Sequence, residues 1–397
     1  MNHLINFDEI IDRTQTDSVK WGINEHIFGR KDVLSMWVAD MDFRAPEPVI
    51  QALIARATQG IYGYAARPDS YHQAIIDWLK KRHGWETQRA WQITTPGVVP
   101  AVSVAILAYT QPGDKIIIQP PVYHPFFQMV LNNGRQIVEN DLICEDGYYR
   151  MDFDLLEEQL ADAHVRMLIL CSPHNPVGRV WTRAELTRLG ELCRAHNVLV
   201  VSDEIHCDLV YSWAKHVPMA SISTELADNT VTLLAPSKTF NLAGLYTSAA
   251  VISNPVLNHR FCQMVENLGI GGGTVFGMAG LEAAYRYGEE WLDQLLSYLE
   301  ENLSFLSEFI GRRIPQIKVC RPEGTYLVWL DCRGLGLSRA ELKKFMILKA
   351  GLGVNEGADF GRSGEGFMRL NAACPRAILS KALEQLAAAV GELGLEK

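Results

Sequence analysis

Arg166-Met167-Leu168-Ile169-Leu170, the stretch Thr182 to His196, and Val198-Leu199-Val200-Val201 follow one another closely and predict a strand, a helix and a second strand parallel to the first. Both apolar runs are continuous, as expected of strands buried on both faces. Between them Thr182 is a predicted N-cap, Glu185 completes a capping box, and Leu186, Leu189 and Leu192 share one helical face.

The pattern extends outward. Trp91-Gln92-Ile93-Thr94 and Lys115-Ile116-Ile117-Ile118 precede this unit; Val231-Thr232-Leu233-Leu234 and Ser248-Ala249-Ala250-Val251-Ile252 follow it. Strands alternating with helices predict an α/β fold, a mostly parallel sheet covered by helices. After about residue 290 the character changes. Trp291 to Ile310 reads as a long helix with Leu292, Leu295, Leu296, Leu299, Leu303 and Leu306 on one stripe, stopped near Gly311 and Pro315. A strand at Tyr326 to Leu330, a helix at Ser338 to Ala350, a strand at Phe367 to Leu370 and a helix from Pro375 complete a smaller α+β unit. The first 45 residues, outside the repeating pattern, are expected to pack with it. The expected division is a large domain over 46–289 and a discontinuous small domain over 1–45 and 290–397.

Composition narrows the function classes. Of 397 residues 48% are hydrophobic and 21% charged, and 37 Lys+Arg against 46 Asp+Glu give a net charge of −9. The acidic balance speaks against nucleic-acid or anionic-membrane partners, and the longest basic cluster is Lys80-Lys81-Arg82. No apolar run approaches the roughly 18 residues of a membrane span, and Met1 to Asp12 lacks the order of a signal peptide, so a cytoplasmic location is expected. Eight cysteines without a C-x-x-C pair read as reduced thiols, and the eleven histidines show no ligand spacing, so no metal is expected.

Ligands of an open parallel sheet bind beyond the carboxyl ends of its strands. There the sequence places Thr95-Pro96-Gly97 before a helix, whose first N–H groups suit a phosphate. Next come the flat ring of Tyr123 after Pro120-Pro121, the amide of Asn175 in Ser172-Pro173-His174-Asn175-Pro176, the carboxylate of Asp203, and the amine of Lys238 in Ser237-Lys238-Thr239. Singly, each is an ordinary turn, cap or solvated side chain. Together they meet the needs of pyridoxal 5′-phosphate: an amine for its aldehyde, a carboxylate for its pyridine nitrogen, a helix start for its phosphate. No G-x-G-x-x-G follows the first strand, and no Walker Gly-Lys-Ser/Thr is present.

With these residues in place, the chain resembles the fold-type I pyridoxal-phosphate enzymes, the aspartate aminotransferase superfamily, over essentially its whole length. Trp37-Val38-Ala39-Asp40-Met41-Asp42-Phe43, Asp203-Glu204-Ile205-His206, Ser237-Lys238-Thr239-Phe240-Asn241 and Arg369-Leu370-Asn371-Ala372 resemble the MalY/PatB-type cystathionine β-lyases within it. The resemblance implies Lys238 as the Schiff-base lysine, Asp203 as partner of the ring nitrogen, Asn175 as donor to the ring 3-oxygen and Tyr123 stacked on the ring. It implies Gly97, Val98, Val99 and Ser237 at the phosphate, Tyr64 reaching the phosphate of a second subunit in a homodimer with shared sites, and Arg369 on the substrate α-carboxylate. The implied reaction is β-elimination from L-cystathionine or a related cysteine S-conjugate to a thiol, pyruvate and ammonia.

The sequence departs from the wider family at three points: Tyr246 stands where a phosphate-contacting basic residue is common, Ala235 where a serine is, and His206 where many aminotransferases have tyrosine. His206 has two readings, a structural hydrogen bond and a place beside the cofactor. Asp40 and Asp42 read as turn or capping residues near the substrate entrance. An aminotransferase, or a regulatory protein that keeps the fold, are the competing functions; a surface for a regulator would carry no readable motif.

Overall fold

The computed structural model describes residues 5–394; the outermost residues of the expected small domain, 1–4 and 395–397, lie outside the described residues. A seven-stranded sheet forms the centre. In chain order its strands are β1 (Gln92–Thr95), β2 (Lys115–Ile118), β3 (Gln136–Glu139), β4 (Val165–Cys171), β5 (Leu199–Asp203), β6 (Thr230–Leu234) and β7 (Ser248–Val251). They lie side by side as β1-β7-β6-β5-β4-β2-β3.

Strands β3, β2, β4, β5 and β6 pair in parallel. β7 runs antiparallel to both neighbours, so the sheet is mostly parallel, as expected, with one reversed strand. Two antiparallel steps leave β1 parallel to β6, so its carboxyl end still faces the same side as the others. β3 was missed because its outward-facing Gln136 and Glu139 break the apolar run.

Burial on both faces explains the continuous apolar strands. Met167, Ile169 and Cys171 pack with helix α1 (Val98–Tyr109), whereas Leu168 and Leu170 pack with helix α2 (Arg183–Ala195), following the alternation of a pleated strand. The Thr182/Glu185 capping box is formed.

A second, antiparallel sheet holds β8 (Lys318–Cys320), β9 (Leu327–Asp331), β10 (Asn355–Glu356) and β11 (Phe367–Asn371) in the order β8-β9-β11-β10. Helix α3 (Glu289–Arg313) runs through Gly311 and ends beside Pro315; α4 spans Arg376–Gly391. The helix expected from Ser338 to Ala350 is α-helical only over Arg339–Lys344 and continues as a wider π turn over Phe345–Lys349. N-terminal residues reach this part of the chain: Leu34–Ser35 pair with Leu352–Gly353, and Phe7 packs edge-on against Trp291. All eight cysteines are free, six of them buried; Cys144 is exposed and Cys262 half-buried.

Candidate active site

The expected residues converge at the carboxyl end of the central sheet. Asp203 ends β5, aligned with Cys171 on β4 and Leu233 on β6. Lys238 lies one helical turn past β6, in Pro236–Thr239. Asn175 follows β4 and Tyr123 follows β2, the latter turn pinned by the N–H of Val122 donating to the Phe360 carbonyl at 2.8 Å. At the sheet edge, Gly97 leads into α1, whose first turn has no side-chain cap.

Arg369 enters from β11. Its Nη1 donates to Asn175 Oδ1 at 3.0 Å, and its Nη2 to Asn355 Oδ1 and the Trp37 carbonyl, both at 2.7 Å. Asn355 stands directly opposite it on β10. Asn371 shares the strand face of Arg369 and donates to the carbonyls of Val38 and Asp40.

The backbone oxygens of residues 37–41 and of Phe43 are thus held by side chains. Asn241, at positive φ, donates to the carbonyls of Met41 and Phe43 and accepts from the Met41 N–H. The Ala39 carbonyl accepts from Lys238 Nζ at 2.7 Å and from the Tyr326 hydroxyl at 2.8 Å. Asp40 and Asp42 are not caps: Arg13 bridges them at 2.8 and 2.7 Å, and the buried Lys20 pairs with Asp42 at 2.7 Å. Met41 and Phe43 are core residues.

Burial sets the protonation of this chamber, because low polarity disfavours either sign of charge. It pushes Asp203 up to about 7, opposed by the Ile205 N–H and Lys238. It brings Lys238 down to about 8, with Asp40 and Asp203 opposing and Arg369 adding to the fall. Burial, then Lys238 and Arg369, hold His206 down at about 3, so it is neutral. His206 meets the Tyr326 ring edge-on, and its Nδ1 is buried without a partner. A cavity of about 590 Å³ is lined by Trp37 and Asn355, both of which accept from Arg369, and by His124 and Met368 among others.

Other expected residues stand apart. Tyr64 is fully exposed, and Tyr246 is exposed at positive φ; Ser237 is half-buried beside Lys238. Sequence reasoning missed Arg13, Lys20, Tyr326, Asn355 and the Ala39 carbonyl. A carbonyl leaves no trace in sequence, and the ion pairs join residues 20 or more positions apart through a segment with no periodicity.

A family model described as aminotransferase class I and II matches residues 17–386. The chain belongs to this family. Cystathionine beta-lyase PatB of Bacillus subtilis is 46% identical over 386 residues, covering 97% of this chain and all of PatB. Among solved structures, cystalysin from Treponema denticola, which contains a pyridoxal 5′-phosphate cofactor, superposes with a TM-score of 0.96 at 37% identity, covering 98% of this chain and all of that one. A PLP-bound C-S lyase from Staphylococcus hominis gives 0.90 at 33%, covering 97% and 98%. As a class I and II aminotransferase family chain, this protein carries residues that fit such a cofactor. A buried carboxylate and a half-buried amine lie at adjacent strand ends, α1 begins without a cap, and Arg369 Nε and Ser172 Oγ are buried without partners.

Proposed function

We propose that this chain is a pyridoxal-phosphate-dependent C–S β-lyase, acting on L-cystathionine or a related cysteine S-conjugate to give a thiol, pyruvate and ammonia. One observation carries the reading: half-buried Lys238 and buried Asp203 at neighbouring strand ends share a chamber with the Arg369 guanidinium from β11. When bound, pyridoxal phosphate supplies the electron sink that acidifies the substrate Cα proton.

The chain's own groups do the rest. Brought down to about 8, the Lys238 amine is neutral in roughly a tenth of molecules at pH 7, far more than a free lysine, and can accept that proton as general base. Asp203 would pair with the ring nitrogen, where a cation in contact would favour its ionised form and reverse the effect of burial. Asn175 has its Oδ1 committed to Arg369, which leaves Nδ2 to donate to the ring oxygen. Tyr123 would stack on the ring, and the N–H groups at Val98 and Val99, the turn at Gly97 and Ser237 would hold the phosphate. Arg369 binds the α-carboxylate, and the cavity at Trp37 and Asn355 receives the sulfur substituent. His206, neutral and against Tyr326, lines the cofactor chamber.

The domain division, 46–289 against 1–45 with 290–397, is part of this reading and is supported by the pairing of Leu34–Ser35 with Leu352–Gly353. So is a homodimer in which Tyr64 reaches the other subunit's phosphate, supported by the exposure of Ile61, Tyr62 and Tyr64 together. A cytoplasmic location accords with the described residues, where no helix is long and apolar enough to cross a membrane. Pyruvate release with a matching thiol from cystathionine, cystine and S-alkyl cysteines, without added keto acid, tests the activity. Turnover that requires a keto acid and accumulates a new amino acid would overturn it in favour of transamination.

A further inference from the structure

Behind the proposed catalytic pair lies a chain of polar contacts. Thr239, the residue after Lys238, donates its hydroxyl to Asp208 Oδ2 at 2.8 Å. Asp208 Oδ1 also receives Trp78 Nε1 at 3.0 Å and His83 Nε2 at 2.8 Å. The His83 ring meets His216 edge-on, centroids 5.4 Å apart. His216 Nε2 bonds to Glu204 Oε2 at 2.9 Å, and Glu204 Oε1 accepts from Ser202 and the Met219 N–H. Glu204 is the residue after Asp203. The chain of contacts therefore runs from the neighbour of the lysine to the neighbour of the aspartate, and its carboxylates, Thr239 and His216 are all buried.

We propose that Thr239 and Asp208 are positioning residues that fix the Lys238 amine relative to Asp203. The lysine rides on a four-residue helical turn, too short to be rigid by its own hydrogen bonds. Asn241 ties the far side of that turn to residues 41–43, and Thr239 anchors the near side to a buried carboxylate whose position is set by two further donors. Burial alone would raise Asp208, yet the contacts from His83, Thr239 and Trp78 hold it below the usual carboxylate range, so it stays a fixed ionised acceptor. His83, Cys207 and Asp208 bring potential metal-ligand atoms within 4.8 Å of one another. The Cys207 thiol, however, is pushed well up by burial, and the Asp208 oxygens already hold three donors, so the cluster works as a hydrogen-bonded hub.

The inference rests on the assignment of Lys238 and Asp203 above, and the test separates the two. Holoenzymes of the wild type, Thr239→Val and Thr239→Ser are compared by pH titration of the cofactor's visible absorbance, by kcat and KM for elimination, and by melting temperature. Thr239→Val is expected to shift the absorbance titration and lower kcat about tenfold with KM changed less than about twofold, and Thr239→Ser to restore both. Wild-type titration and kcat in Thr239→Val, even with a lower melting temperature, would reduce Thr239 to a structural role and overturn the proposal. Should Thr239→Val not accumulate, Thr239→Ala carries the same expectation and the same reversal. A wild type with no visible cofactor band would sink the cofactor assignment itself.

Discussion

Arg369 Nη1 donates to Asn175 Oδ1 at 3.0 Å, joining a strand of the C-terminal sheet to a turn of the central sheet 194 residues earlier. The contact fixes which end of the Asn175 amide faces the cofactor chamber, because the oxygen is already taken. One guanidinium thus orients the amide beside it while, in the proposed reaction, it would also bind the substrate carboxylate.

Arg369→Gln is expected to raise KM for the amino-acid substrate about 100-fold and to weaken cofactor affinity as Asn175 loses its orienting donor; losing a bidentate charged contact costs a few kcal/mol. Steady-state kinetics and cofactor titration check both effects. Arg369→Lys keeps the charge but not the fork, and should recover little of the loss.

Lys238→Ala should abolish turnover and the visible absorbance of the lysine-linked cofactor. An unchanged spectrum would refute the assignment of that amine. Asp203→Ala should still retain the cofactor through the phosphate site, yet lose most of kcat, because the ring nitrogen loses its anionic partner. Activity near wild type would count against the electron-sink role.

Lys20 is buried against Asp42, which Arg13 shares. Lys20→Met leaves a buried carboxylate only half compensated, and should cost about 3 kcal/mol in urea unfolding. Adding Asp42→Leu should return part of that stability, since an apolar pair removes the stranded charge.

His174 is fully buried, its Nε2 2.9 Å from the Pro121 carbonyl, and burial holds it down to about 4. Its folded value lies below its unfolded value of about 6.5, so the stability it contributes is present above pH 6.5 and lost as pH falls through about 4. His174→Gln keeps a donor but does not titrate. The variant's unfolding free energy should therefore fall less steeply over that window, by up to roughly 3 kcal/mol. Parallel wild-type and variant curves would exclude His174 as a source of acid lability.

Much of the large sheet could be read directly because its signals are local. The runs Met167–Leu170 and Val198–Val201 are apolar throughout, a pattern that burial on both faces imposes residue by residue, and Thr182 with Glu185 marks a helix start within four positions. Strand direction is different. Nothing in Ser248–Val251 distinguishes an antiparallel strand from a parallel one, because both expose the same alternation to the same two layers. The edge strand Gln136–Glu139 lacks two-sided burial and with it the signal.

By itself the sequence determined which groups stand at each strand end: a helix start at Gly97, a ring at Tyr123, an amide at Asn175, a carboxylate at Asp203 and an amine at Lys238. Strand–loop–helix order places them on one edge wherever the chain takes this fold. Only the tertiary structure decided how residues 37–43 are held between Asn241, Asn371, Lys238 and Arg369, and how Asp40 and Asp42 pair with Arg13 and Lys20. Those contacts join positions up to 333 residues apart, and partners so distant are chosen by packing, which no local pattern encodes.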